Sequence, residues 1–376
     1  MPQPPVSQPP VSQPGVPQPA SARPPPAAPP RAGAPAARQA VPTLVGPFRP
    51  APEATGPAAP CETTPAPVRS LESTGFYADP AFSRPDLARM QADAEAGRPL
   101  REWLAVVQRA VARHRAGQAG AAACALAALD GWAKNGALLG AFNLQGGYHR
   151  TWTLAGAALS YLAIRDAPGS SNPGLDPTAL GRTARWLGMV AEAVRPHFER
   201  NSTAIISDVR NNHAAWGGLA VAAAGIAGGD RAQLDWGMAR LRAQLAQVDD
   251  RGVLPQEAKR AGLALHYHLF ALEPVAALER LAAANGIALT EPERAAYRRL
   301  RDLCLSAARD PAVMAGVAGV PQADPWDGPG GPLVGAAGLE LSVLAMPDPA
   351  LEEALASSRP FSDPWLGGVV TGWWRE

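Results

Sequence analysis

From about residue 86 onward, apolar residues recur three and four positions apart, as in Trp103, Val106, Val107, Ala110 and Val111, which is the spacing of one face of an α-helix. The pattern returns in segment after segment and predicts helices over 98–116, 119–135, 148–165, 178–195, 212–226, 231–247, 260–285, 291–308 and 332–345. Helix breakers separate them: Gly117, Asn135-Gly136, Pro168-Gly169, Pro173-Gly174, Gly228-Gly229, Asp250 to Gly252 and Asn285-Gly286. Strict apolar–polar alternation is scarce, so the fold class is all-α and any sheet is minor. Such helices must bundle, stack as a solenoid or curve into a toroid of hairpins, and periodicity does not choose among these. Two connecting segments, 136–150 and 201–213, are polar and aromatic and end where a helix begins. They are expected to wall a cleft at one rim of the scaffold.

Composition changes the picture at the N-terminus. Residues 1–60 hold 20 of the 41 prolines, with almost nothing branched or aromatic to bury, so this segment is expected to be a disordered or polyproline-like tail. It reads as an envelope-spanning spacer or a ligand for a proline-binding module, or else as a plain solvated tail or a misplaced start. Residues 61–376 then form one folded domain. The net charge is +1 and no basic cluster is interleaved with aromatics, so nucleic acid is not an expected partner. No stretch approaches 18 apolar residues, so membrane insertion is not expected. No export signal is visible at Met1. Cys61, Cys124 and Cys304 are too few and too far apart for a zinc site. Neither metal nor cofactor is expected; one disulfide and one buried thiol are possible, and spacing does not say which residues pair.

Two segments carry candidate chemistry. Asn211-Asn212-His213 sits where a helix should start. Either asparagine can cap it, or the helix N-terminus can receive an anion. Arg260 and Tyr267 lie seven residues apart inside a helical pattern, on one face and about 10.5 Å apart along the axis. They read as a ligand-facing pair or as a stacked core pair. His266 and His268 flank that face. Trp132, Trp152, Trp186, Trp216 and Trp236 could stack on sugars, but a tryptophan on an apolar helical face is usually core. No pair of carboxylates stands out as a glycosidase acid and base.

Taken together, NNHAAW at 211–216, VDDRGVLPQEAKRAGLALHYHLFALEPV at 248–275 and RPFSDPWLGGVVTGWW at 359–374 resemble the alginate lyase family of the periplasmic, mannuronate-specific type. ACALAALDGWAKNGAL and RTWTLAGAALSYLAI extend the resemblance, which covers 120–376 closely and 60–120 loosely. It implies an α/α toroid with a cleft along one side, acting as a lyase on an acidic polysaccharide. The family's catalytic residues match Asn212, His213, Arg260 and Tyr267. Removing the weakly acidic C5 proton of a uronate requires its carboxylate to be neutralised, a task for Asn212 and Arg260. Tyr267 then protonates the leaving oxygen and, on mannuronate, also removes the proton. A phenol is only about one part in a thousand ionised at pH 7, so Arg260 and His268 are expected to favour the phenolate. His213 is either the base for the opposite stereochemistry or a further neutraliser. Tyr77, Arg150, Trp152, Asn211 and His268 are the expected substrate-binding residues.

The resemblance also pairs Cys61 with Cys124 in a disulfide and so implies a periplasmic or secreted protein, with an export signal lost upstream of Met1. The family usually has a lysine shortly before the residue matching Tyr77. The stretch here, Ser73 to Asp79, has none, and Leu269 stands where the family has asparagine. A lyase for another uronate polymer, such as glucuronan, and a non-catalytic protein of exopolysaccharide export machinery are the alternative readings.

Overall fold

The computed structural model describes residues 43–58, 60–165, 174–322 and 336–375. Most of the expected tail, residues 1–42, lies outside the described residues. The expected boundary at residue 60 is corrected: Leu44 and Phe48 are buried, and Arg49 N donates to Trp373 O at 2.8 Å. The chain from Thr43 onward belongs to one folded unit.

The helices are α1 (Leu87–Arg115), α2 (Ala121–Lys134), α3 (Leu144–Arg165), α4 (Pro177–Glu199), α5 (Asn212–Gly228), α6 (Arg231–Leu245), α7 (Pro255–Ala258), α8 (Ala264–Ala284), α9 (Glu291–Arg309), α10 (Ala312–Ala318), α11 (Ala336–Ala345) and α12 (Pro349–Ala356). Half of the twelve starts are capped by short polar side chains. Asp86, Asp176, Asp230 and Asp348 accept from first-turn amides, and Thr290 with Glu293 closes a capping box. Asp86 explains why α1 begins well before the expected residue 98. The expected helix at 332–345 lies partly outside the described residues.

Burial separates two layers. In α5, 15 of 17 residues are buried and in α8, 17 of 21, whereas α9 buries 8 of 19. The inner row runs α1, α3, α5, α8 and α11, each packed on the next, with α3, α5, α8 and α11 buried over most of their length, and α2, α4, α6 and α9 pack outside them. The architecture is an α/α toroid of helical hairpins. A two-stranded antiparallel ribbon (Ser362–Asp363 with Gly368–Val369) encloses the turn Pro364–Leu366, which packs on α1, α3 and α8. Missing side chains permit the closest approach of α5 and α6: a Cβ on Gly237 would stand 2.5 Å from Gly218 O and 2.6 Å from Ala222 Cβ.

One expectation about membranes needs correction. The stretch Ala261–Ala284 is long and apolar enough to cross a bilayer, but it is the inner helix α8 with its preceding turn, largely covered by α5, α9 and α11. Its apolarity is that of a core helix.

Trp103 and Trp132 stack at 3.9 Å, with Trp186 edge-on to Trp103 at 6.1 Å. Trp132 donates to Pro65 O and Trp186 to Ala137 O, so both are core anchors. Nearby, Cys61 and Cys124 are bonded across 63 positions, while Cys304 is a buried free thiol. Loop-closure entropy for such a span is about 4 kcal/mol. A Cys61→Ser/Cys124→Ser variant should therefore lose stability by an amount approaching that figure, read as a lower denaturant midpoint than the oxidised protein, with Cys304 unreactive until unfolding.

Candidate active site

A cleft of about 820 Å³ opens at the N-terminal turns of α3, α5 and α8. Loops before α3 and α5 wall it, as expected, although α3 begins at Leu144, so that the first of these loops is shorter than 136–150. The segment 73–77 and Trp365 complete the lining.

Arg260 and Tyr267 meet in a way that helical spacing did not foresee. The helix does not run through Arg260: Ala261 takes φ +49°, a 3₁₀ turn follows at Ala261–Leu263, and α8 starts at Ala264. The expected axial separation of about two turns is thereby abolished. Arg260 Cζ lies 3.3 Å from the centre of the Tyr267 ring. Tyr77 and Phe82 enclose the guanidinium at 5.2 and 5.7 Å, and Arg260 Nε donates to Phe82 O at 3.0 Å. A positive charge against the phenol favours negative charge developing on its oxygen. Tyr77 lines the cleft; burial, opposed by Arg260, pushes its hydroxyl up to about 12, so it is a neutral hydrogen-bonding group.

The N-terminus of α5 differs from expectation more deeply. Asn211 is the cap, its Oδ1 accepting from His213 N at 3.0 Å. Asn212 is fully buried and is absent from the cleft lining. Its backbone N donates to Glu257 Oε1 at 2.7 Å, and its Nδ2 lies 3.1 Å from both Glu257 oxygens. The anion at this helix terminus is therefore the protein's own Glu257. Burial pushes that carboxyl up to about 7, against Arg260 and Asn212. Asn211, not Asn212, faces the cleft.

His213 faces it as well. Its ring stacks on Tyr148 at 3.9 Å and lies 5.7 Å from Trp152. Burial holds the imidazole down at about 3, so it is neutral at physiological pH, a proton acceptor or hydrogen-bond donor and not a charge. Tyr148 is fixed in turn: its hydroxyl donates to Asp208 Oδ2 at 2.6 Å, which also bonds His197 Nε2 at 2.8 Å, while Arg200 pairs with Asp208 Oδ1. Burial opposes ionisation of Asp208, but hydrogen bonds from His197, Arg200 and Tyr148 hold its carboxyl well below the usual range.

The remaining expected residues divide. Trp152 lines the cleft, stacked on Trp365 at 4.7 Å, and its indole N–H has no partner among the described residues. Trp132, Trp186 and Trp216 are core. Arg150 does not reach the cleft: its Nη2 donates to Ala193 O at 2.9 Å and its guanidinium covers Phe142. His268 is also corrected. It is fully buried, Nδ1 donating to Ala264 O at 2.7 Å and Nε2 accepting from Leu254 N at 3.0 Å. Burial keeps it neutral, down at about 4, so it lends no charge to Tyr267. His266 is the histidine of that pair that lines the cleft.

Sequence reasoning missed Glu257, Tyr148, Asp208, Trp365 and a carboxyl pair, Glu273 with Asp363. Glu273 lies on the cleft face of α8, two turns past Tyr267. Asp363 accepts from Trp365 N and Leu366 N at 2.7 and 3.0 Å. Burial, and for Glu273 the neighbouring Asp363, raises both carboxyls, Asp363 to about 6.

Stacked aromatics beside a buried guanidinium suit a sugar ring that bears a carboxylate, so fold and cleft define a carbohydrate-active α/α toroid. A family model described as alginate lyase matches residues 70–314. A polysaccharide lyase from Stenotrophomonas maltophilia is 32% identical over 316 residues, 83% of this chain and 89% of that one. An alginate lyase from Azotobacter vinelandii is 34% identical over 278 residues, 70% of each chain. Among solved structures, alginate lyase A1-III from Sphingomonas species A1 superposes with TM-score 0.65 at 23% identity, covering 82% of this chain and 84% of that one. A variant of that enzyme complexed with a tetrasaccharide gives 0.66 at 22% identity, with the same coverage. The chain belongs to the alginate lyase family, and it is accordingly a polysaccharide lyase.

Two outcomes follow from the site's buried carboxyls. Glu257→Ala strands two buried donors of Asn212, which costs about 2–4 kcal/mol, read as a lower urea midpoint. Raised carboxyls favour the folded state while neutral, so the Glu273–Asp363 contribution is present below about pH 4 and is lost as pH rises through about 6 and above. Thermal stability should fall between pH 5 and pH 8. Glu273→Gln should flatten that decline; an unchanged slope would assign it elsewhere.

Proposed function

We propose that the protein cleaves alginate within poly-β-D-mannuronate by β-elimination. The observation that carries this reading is the Arg260 guanidinium seated on the Tyr267 ring in an aromatic cleft. Arg260 meets the uronate carboxylate, and Asn211 and neutral His213 add hydrogen bonds to it, so that negative charge spreading from C5 is stabilised. Tyr267, as phenolate, takes the C5 proton. The electron pair forms the C4–C5 double bond, the C4–oxygen bond breaks, and the leaving oxygen takes a proton from the Tyr267 hydroxyl. On a uronate of the opposite stereochemistry, neutral His213 is the alternative base in place of this hydrogen-bonding role.

A second reading, a lyase for another uronate polymer such as glucuronan, is favoured by the missing lysine at 73–79. Among the described residues the cations lining the cleft are Arg89, Arg200 and Arg260, and Arg89 already donates to Tyr77 O. The Cys61–Cys124 bond supports a periplasmic or secreted location.

Turnover is read as ultraviolet absorbance of the unsaturated product over poly-mannuronate, poly-guluronate, glucuronan and hyaluronan. Poly-mannuronate is expected to be the best substrate; a larger signal on glucuronan selects the second reading, and silence on all four from folded protein ends both. Tyr267→Phe should lower kcat by about a thousandfold with polymer binding retained, and near-normal turnover would remove Tyr267 from proton transfer.

A further inference from the structure

Outside the cleft a second groove, of about 560 Å³, lies between α4, the end of α2 and Arg69. Its lining includes Arg69, Lys134, Arg182, Arg185 and Met189. Three of the cations are held in place by neighbouring groups. Asp130, only 5% exposed, accepts from Arg182 Nε and Nη2 at 2.6 and 2.9 Å and pairs with Lys134 Nζ at 2.8 Å. Arg69 Nη1 donates to Asn135 O at 2.7 Å. It occupies space left open by a glycine: a Cβ on Gly136 would stand 2.7 Å from that nitrogen. Arg185 is exposed, with no ion-pair partner among the described residues. Four positive charges thus face one buried carboxylate, Asp130, and Asp176 beside Arg182. Met189, 56% exposed, sets an apolar surface among them.

Fixed guanidinium groups around an apolar side chain suit a polymer whose every ring carries a carboxylate on one edge and an apolar face. The groove also leads to the cleft. Chain segments 68–73 and 138–143 run side by side, joined by Leu138 N to Val68 O, Gly140 N to Arg69 O and Leu71 N to Ala141 O at 2.7–3.0 Å, and by Ser73 N to Asn143 Oδ1 at 3.2 Å. Arg69 lines the groove and Ser73 lines the cleft. Four residue steps of chain separate them, about 13 Å if extended. A smaller depression containing Arg150 and His197 shares Asn143 with the cleft and lies against the same helix, α4.

We infer that this groove is an auxiliary binding site for acidic polysaccharide, holding a stretch of the same chain whose neighbouring residues occupy the cleft. The inference rests on the uronate-polymer reading above and extends it to a surface where no chemistry occurs. The test compares wild type with Arg69→Glu/Arg185→Glu, on long poly-mannuronate and on its tetrasaccharide. KM for the long polymer should rise about tenfold and lose much of its salt dependence, while kcat and the tetrasaccharide constants stay unchanged. The milder Arg69→Gln/Arg185→Gln pair should give an intermediate rise. Equal polymer KM in wild type and both variants would overturn the inference. Should wild type turn over no uronate polymer, the functional reading fails by itself. Titration calorimetry with the same long polymer at low salt then decides the groove: weaker binding by the variants upholds it, and equal affinity overturns it.

Discussion

The Glu257 carboxylate at the N-terminus of α5 is the interaction on which the site depends. It joins two inner helices where each begins, receiving the Asn212 amide and side chain on one side and standing three residues before Arg260 on the other. A carboxylate at a helix N-terminus satisfies donors that have no partner within the helix. Here the satisfied donors also fix the register between the turn carrying Arg260 and the helix carrying His213. Because α7 ends there and Ala261 takes a positive φ, the chain must turn before α8 starts. That turn folds Arg260 onto Tyr267.

The fold was largely legible because it rests on periodicity and caps. Inner helices such as α5 read as apolar on every side, α9 as apolar on one, and both follow from where they pack. The site was legible as residue types and not as geometry. Seven-residue spacing suggested a shared helical face, whereas the contact arises from a backbone break at Ala261, a residue whose side chain gives no hint of positive φ. Capping alone did not separate Asn211 from Asn212, and the resemblance chose Asn212 for catalysis; burial against Glu257 leaves Asn211 at the cleft instead. Resemblance chose His268 over His266, but the carbonyl of Ala264 and the amide of Leu254 show that His268 is the structural one. Arg150 was placed at the cleft by resemblance, but Ala193 and Phe142 hold it on the other side of α3.

His213 illustrates how a cleft-lining ring is oriented with no hydrogen bond to it among the described residues. Tyr148 covers one face of the imidazole, and its hydroxyl is fixed by Asp208, itself held by two further partners, His197 of α4 and Arg200 just after α4. The stack removes water from the ring and thereby keeps it neutral, so positive charge in this part of the cleft is left to Arg260 and Arg200. In the proposed elimination Tyr267 handles the proton and Arg260 the charge, and a neutral His213 in the same cleft adds a hydrogen bond without adding charge.

Arg260 stands by the first turn of α8, and the Glu273–Asp363 pair lies about 9 Å further along that helix. A polyanion crossing this distance meets a cation and then two acids. Were both acids ionised, the second half of the cleft would repel the chain that the first half attracts. Burial resolves the conflict: Asp363 Oδ1 accepts from both the Trp365 and Leu366 amides, Glu273 has no cation partner among the described residues, and mutual repulsion keeps a proton on the pair. A protonated Glu273 is a hydrogen-bond donor to a sugar hydroxyl or carboxylate, in a wall already built of Trp152 and Trp365. The same desolvation that raises both carboxyls therefore keeps this end of the cleft from carrying two negative charges side by side.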